Sequence, residues 1–154
     1  MTTTLSTRHA ALRKGRYSVS GQTYLVTFTT CRRAPHFATA DVAMAAARAI
    51  TDARLWENAQ LLAWVLMPDH WHGLIALGDG ECLSKVVQRL KANSARQARK
   101  IQPGIRVWGK AYHDRALREE EAVIDAARYM VMNPVRAGLV RSVGRYPYWN
   151  AVWV

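Results

Sequence analysis

Two short apolar runs, "QLLAWVLM" at 60–67 and "HWHGLIAL" at 70–77, are separated only by Pro68 and Asp69. Nothing else in the chain limits its fold as much. Neither run can cross a bilayer, which takes about 20 apolar residues. Proline followed by aspartate suits a tight turn. The runs therefore read as an antiparallel hairpin. Ahead of it, "QTYLVTFTTC" alternates, with Tyr24, Val26 and Phe28 on one side and Thr27 and Thr29 on the other, which predicts a strand.

Helical signals fill the gaps. "DVAMAAARAITDARLWEN" is rich in alanine and follows Thr39, a candidate N-cap. "CLSKVVQRLKANSARQARKI" predicts a second helix, ended by Pro103 and Gly104. "EEEAVIDAARYMVM" predicts a third, with three glutamates at its dipole-favoured N-terminus and Pro134 closing it. A short strand is expected near "IRVWGKAYH", and aromatic, proline-containing coil from Pro134 to Val154. The order is β-α-β-β-α-β followed by a helix. That predicts an α+β fold: a ferredoxin-like antiparallel sheet with helices on one face, plus a C-terminal tyrosine-bearing helix. A chain of 154 residues, half of them apolar, suits one globular domain over 15–154, with 1–14 as a flexible basic arm. That arm is acid-free and rich in Thr, Ser and Arg, a composition shared with transit peptides. The two cysteines, Cys31 and Cys82, read as reduced thiols of a cytoplasmic protein.

Charge narrows the function. The formal net charge is +11, and no acid precedes Asp41. Residues 85–118 hold ten Lys or Arg against one acid, Asp114. Such a field attracts polyanions, nucleic acid above all, although a solvated surface that only aids solubility has the same composition. At 100° per residue, Lys85, Arg89, Arg96 and Lys100 fall in a stripe roughly 60° wide, able to follow a phosphate backbone. Arg16, Lys110, Arg115 and Arg136 extend the basic set. Trp108, Tyr112, His113 and Arg115 mix aromatic and basic residues as single-strand binders do, and Trp108 fits a core equally well.

Chemistry concentrates at His70 and His72. On a strand, residues two apart share a face, so both imidazoles project together and Trp71 projects oppositely. That is half of a metal site, or else a pair of hydrogen-bonded histidines. Tyr129 and Asn133, four apart, share a face of the third helix. Asn133 could give a carbonyl oxygen to a hard cation, though it precedes Pro134 and such residues avoid helical geometry. Tyr129 alone could be an ordinary aromatic of an amphipathic helix.

Together "WVLMPDHWHGLI", "LSKVVQRLKANSARQARK", "WGKAYHDRALREEE" and "ARYMVMNPVRAGLV" resemble the REP-associated tyrosine transposases, domesticated relatives of the single-tyrosine HUH transposases of bacteria. "GRYSVSGQTYLVTFTTCRRAPHF" resembles the family's opening strand, so the likeness runs from about Gly15 to Trp149. The resemblance implies that His70 and His72 are the HUH histidines, Tyr129 the nucleophile and Asn133 the polar residue completing a magnesium or manganese site. It implies a metal-dependent single-stranded DNA endonuclease and strand transferase, acting at palindromic repeat hairpins through a 5′-phosphotyrosine. The partner is single-stranded or hairpin DNA. No membrane and no nucleotide cofactor is expected, and the protein is expected to be a monomer, cytoplasmic and nucleoid-associated. The general base is open among the metal, a bound water and His113. Two other classes stay in view: a non-catalytic DNA-binding regulator of repeated palindromes, and a zinc hydrolase with a third ligand such as His113.

Overall fold

The computed structural model describes residues 21–154; the basic arm at 1–14 and Arg16 lie outside the described residues. Among the described residues, five strands form one antiparallel sheet: β1 (Thr23–Thr29), β2 (Ala59–Met67), β3 (His70–Leu77), β4 (His113–Leu117) and β5 (Trp149–Ala151). Their order is β4-β1-β3-β2-β5. The four longer strands thus follow the ferredoxin-like arrangement, and β5 is a fifth strand on the edge.

Strict alternation along β1 buries Tyr24, Val26 and Phe28 on one face. Two helices, α1 (Ala40–Ile50) and α2 (Leu83–Ile101), cover that face. They bury Val42, Ala46, Ile50, Val86, Leu90 and Ala98 against Trp64, Leu66, Trp71 and Ile75. The third helix, α3 (Glu120–Val131), lies on the other face. Its Val123, Ala127 and Met130 pack on Ala63, Val65, Met67 and Leu74. The hairpin is therefore buried on both faces, which is why β2 and β3 read as near-continuous apolar runs.

Several boundaries differ from the sequence reading. The first helix stops at Ile50, where Thr51 turns its hydroxyl back to Ala47 O. Asp52 then caps a separate 3-10 turn, Ala53–Trp56, by accepting from Arg54 N. Thr39 occupies the N-cap of α1, but its side chain makes no capping bond. The fourth strand falls at His113–Leu117, later than expected, because Val107 and Trp108 are drawn into the core. Trp108 makes only an isolated bridge to Thr30. Its ring meets Phe28 edge-on at 4.6 Å and its indole N–H donates to Ser94 Oγ, so it is a core residue and no stacking platform. Half-buried Lys91 ties α2 to this segment through Gly109 O and Ala111 O. Pro134 does not end helical structure, since it sits near the start of a further turn, α4 (Asn133–Arg136), where a missing N–H costs nothing. The expected C-terminal coil contains β5, paired with residues 63–65 of β2. Tyr146 is likewise buried, its hydroxyl donating to Leu66 O. Among the described residues no helix is long and apolar enough to cross a membrane.

Candidate active site

The Pro68–Asp69 turn places His70 and His72 at one end of the sheet, on the α3 face. Across the ladder His70 faces Thr29 and His72 faces Thr27. The two imidazole rings meet edge to face with centroids 4.8 Å apart. Both Nδ1 atoms are engaged. That of His70 lies 2.7 Å from Asp69 Oδ1, and that of His72 lies 2.9 Å from Thr27 Oγ1. A carboxylate can only accept, so His70 donates from Nδ1–H, which in the neutral ring places the lone pair on Nε2. Thr27 can accept from His72 in the same way. Burial, joined by the charges of His70 and Arg136, pushes the His72 imidazole down to about 4. It is therefore neutral at neutral pH, the form a metal ligand requires. Asp69 stays ionised more readily than an ordinary carboxyl. Burial works upward on it, but the His70 bond and the Arg33 charge outweigh that.

Trp71 points the other way into the helix-covered core, fully buried and stacked on Phe28 at 5.0 Å. Its bulk fits because Gly73 lies two residues on, on the same face. A Cβ there would lie 2.0 Å from a carbon of the indole ring. Sequence reasoning passed over Gly73, although a glycine inside a strand signals close approach.

Helix α3 carries Tyr129 over the histidine face. The ring is 68% exposed, which rules out an ordinary core aromatic. Tyr129 lines a cleft of about 730 Å³ together with His72, Thr27, Arg115, Met130 and Asn133. Asn133 opens α4, so its amide reaches the same cleft. Arg136, one turn further, closes over both residues. Its guanidinium stacks 3.7 Å from the Tyr129 ring centroid and donates to Tyr129 O and to Asn133 Oδ1.

The structure thus brings Tyr129, His72, Asn133, Arg115 and Arg136 together, with His70 beside His72. All come from one chain. His113 opens β4 opposite Thr27, on the same face of the sheet. Among the described residues no three His, Cys, Asp or Glu side chains converge as metal ligands, so the zinc-hydrolase alternative lacks its closed ligand set. An open site is a better fit. The two imidazoles lie edge to face with each Nδ1 already engaged, which leaves each Nε2 for a further partner, as metal-bound histidines need. Asn133 Oδ1, which accepts from Arg136, has a second lone pair to offer beside them.

The basic stripe lies elsewhere. Lys85, Arg96 and Lys100 are exposed on α2, on the opposite side of the sheet from the histidines. Arg89 is half-buried and paired with Glu81 at 2.7 Å, and Arg96 donates to Asn93. These groups cannot touch a phosphate held at the histidines; any DNA they meet lies on the helix layer. Lys110 is exposed in the loop before β4.

Comparison with known proteins agrees with this fold. The structure of a REP-associated tyrosine transposase bound to a REP hairpin superposes with a TM-score of 0.71 at 24% identity, covering 87% of this chain and 79% of that one. A putative transposase from Deinococcus radiodurans superposes with a TM-score of 0.56 at 22% identity, covering 75% of this chain and 92% of that one. An uncharacterised Haemophilus influenzae protein is 24% identical over 109 residues, which cover 52% of this chain and 61% of the relative. The chain thus spans about three fifths of that curated relative. The sequence model of the family described as "Transposase IS200 like" matches residues 18–122, from before β1 into α3. With the paired histidines inside that matched span, the chain belongs to the IS200-like transposase family.

Proposed function

We propose that the protein is a metal-dependent endonuclease and strand transferase for single-stranded DNA, acting at palindromic hairpins. The observation that carries this is the exposed Tyr129 in one cleft with neutral His72. The structural neighbour's REP hairpin supports the choice of DNA.

His70 and His72 would hold the cation through Nε2, with Asn133 as a third donor. Bound there, magnesium or manganese would act as a Lewis acid on the scissile phosphate. Imidazole with amide oxygen and open positions suits these ions better than structural zinc. Arg136 and Arg115 line the path of the phosphate and offset its charge. Tyr129 Oη attacks phosphorus and forms the P–O bond. The bond from phosphorus to the 3′ oxygen breaks, and that oxygen leaves as a 3′-hydroxyl after taking a proton. The phenolic proton passes to water or to His113. The product is a 5′-phosphotyrosine, whose energy another 3′-hydroxyl can use to rejoin DNA without a nucleotide cofactor. Because one chain supplies both tyrosine and histidines, a monomer suffices.

Cleavage of hairpin oligonucleotides with single-stranded flanks tests this. Cutting should require Mg2+ or Mn2+, stop in EDTA, and be lost in His70→Ala while hairpin binding persists. Cleavage by His70→Ala in EDTA would contradict the proposal. Metal-independent binding without any cutting would favour a DNA-binding regulator instead.

A further inference from the structure

Asp69 stands between two side chains. Its Oδ1 accepts from His70 Nδ1 at 2.7 Å, and its Oδ2 accepts from Arg33 Nε at 3.1 Å, with Arg33 Nη2 in ion-pair contact at 3.1 Å. Its backbone is fixed too, with its carbonyl accepting from Thr30 N at 2.9 Å and Thr30 Oγ1 at 3.2 Å. Arg33 comes from the turn after β1, 36 residues earlier in the chain.

That turn has an uncommon backbone. Arg32 and Arg33 are consecutive, and both are left-handed, with φ of 58° and 55°. L side chains avoid this region, and glycine enters it freely. The turn is closed by Arg33 N–H on Thr30 O at 3.1 Å, a bond any residue could make. The side chain at 33 is therefore kept where glycine would fit with less strain. Its head group is 57% exposed, and an exposed ion pair adds little stability. What the pair does is fix the rotation of a carboxylate.

The geometry points to Arg33 as a positioning residue for His70, acting through Asp69 to turn the imidazole Nε2 toward a bound divalent cation. This rests on the metal-dependent function proposed above. The guanidinium held on Oδ2 leaves Oδ1 aimed at His70. Oδ1 then sets both the ring plane and the tautomer, since only Nδ1–H can donate to it. Arg33 touches neither the cation nor the DNA in this role.

The test is Mn2+ binding to the full chain without DNA, by calorimetry and Mn2+ electron paramagnetic resonance. Asp69→Ala should weaken Mn2+ binding by on the order of 10–100-fold, the usual effect of removing a partner of a ligating histidine. Arg33→Gly should weaken it by a smaller factor, roughly threefold to tenfold and so below that range, because Asp69 keeps its own bond to His70. Its melting temperature should hold or rise, because glycine relieves the left-handed strain. Arg33→Gln, which keeps the strain and loses the charge, should show the same loss. The double variant Arg33→Gly/Asp69→Ala should bind no worse than Asp69→Ala alone, because both act on one contact. Wild-type affinity in Arg33→Gly and Arg33→Gln, or a full additive loss in the double variant, would overturn the assignment to Arg33. A wild-type protein that takes up no Mn2+ would instead remove the metal site, and the relay with it.

Discussion

Gly73→Ala tests whether the strand bearing the histidines is held by the packing of Trp71. The added Cβ would lie 2.0, 2.5 and 2.7 Å from three carbons of the Trp71 six-membered ring. Carbon atoms pack at about 3.5–4.0 Å, so the ring must shift by roughly 1.5 Å. It has no free space: it is fully buried and stacked on Phe28. Overpacking of this kind costs about 1–3 kcal/mol. Loss of the ring–ring contact adds about 0.5–1.5 kcal/mol. A destabilisation of about 1.5–4.5 kcal/mol follows, or roughly 3–18 °C in melting temperature for a chain of this size. Urea unfolding followed by circular dichroism measures it. Trp71→Leu removes the clashing ring, so Gly73→Ala should be nearly neutral in that background. A single variant within about 0.5 kcal/mol of wild type, or full additivity in the pair, would refute the packing explanation.

Two other outcomes follow from charge. In EDTA, stability should be full above about pH 6.5 and fall as pH drops toward 4. The unfolded chain protonates at the ordinary imidazole value, whereas folded His72 resists until about 4, so protons favour unfolding in that window. His72→Gln should flatten that part of a pH series of urea midpoints; an unchanged slope would mean that His72 is not the group responsible. On α2, Arg96→Ala with Lys100→Ala should weaken binding to all hairpin and single-stranded DNA alike and flatten its salt dependence, since each lost phosphate contact removes counterion release. Arg89→Ala should add less, because Glu81 already partners it; a loss confined to one DNA sequence would make the stripe a base reader.

The hairpin, α2, α3 and the alternation of β1 were legible because each rests on local periodicity. So was the histidine pair, since strand geometry alone puts residues 70 and 72 on one face. The convergence of Tyr129 and His72 came from the family resemblance; periodicity could not place α3 on the far face of the sheet. The fourth strand was misplaced because Val107 and Trp108 look like strand residues and instead fill the core beside Phe28. The last strand was missed because Pro147 breaks its pattern and β2 holds it in place from across the sheet. The Arg33 contact to Asp69 spans 36 residues and depends on two left-handed arginines, a conformation that side-chain chemistry does not announce. Likewise, Arg89 looked free in the helical stripe because its partner, Glu81, lies just before α2 begins.

The central claim is that the Tyr129 hydroxyl oxygen becomes part of the reaction intermediate. Wild-type protein incubated with a hairpin oligonucleotide and Mn2+ should yield a covalent adduct at the 5′ side of the break, and mass spectrometry of its peptides should place the adduct on Tyr129. Tyr129→Phe removes one oxygen from an exposed side chain. It should fold, bind Mn2+ and bind the hairpin, yet neither cut nor form adduct, because a transesterase cannot dispense with that atom. Tyr24 and Tyr146 are buried and serve as internal controls. Residual cutting by Tyr129→Phe, or an adduct on Tyr112 or Tyr148, would contradict the account.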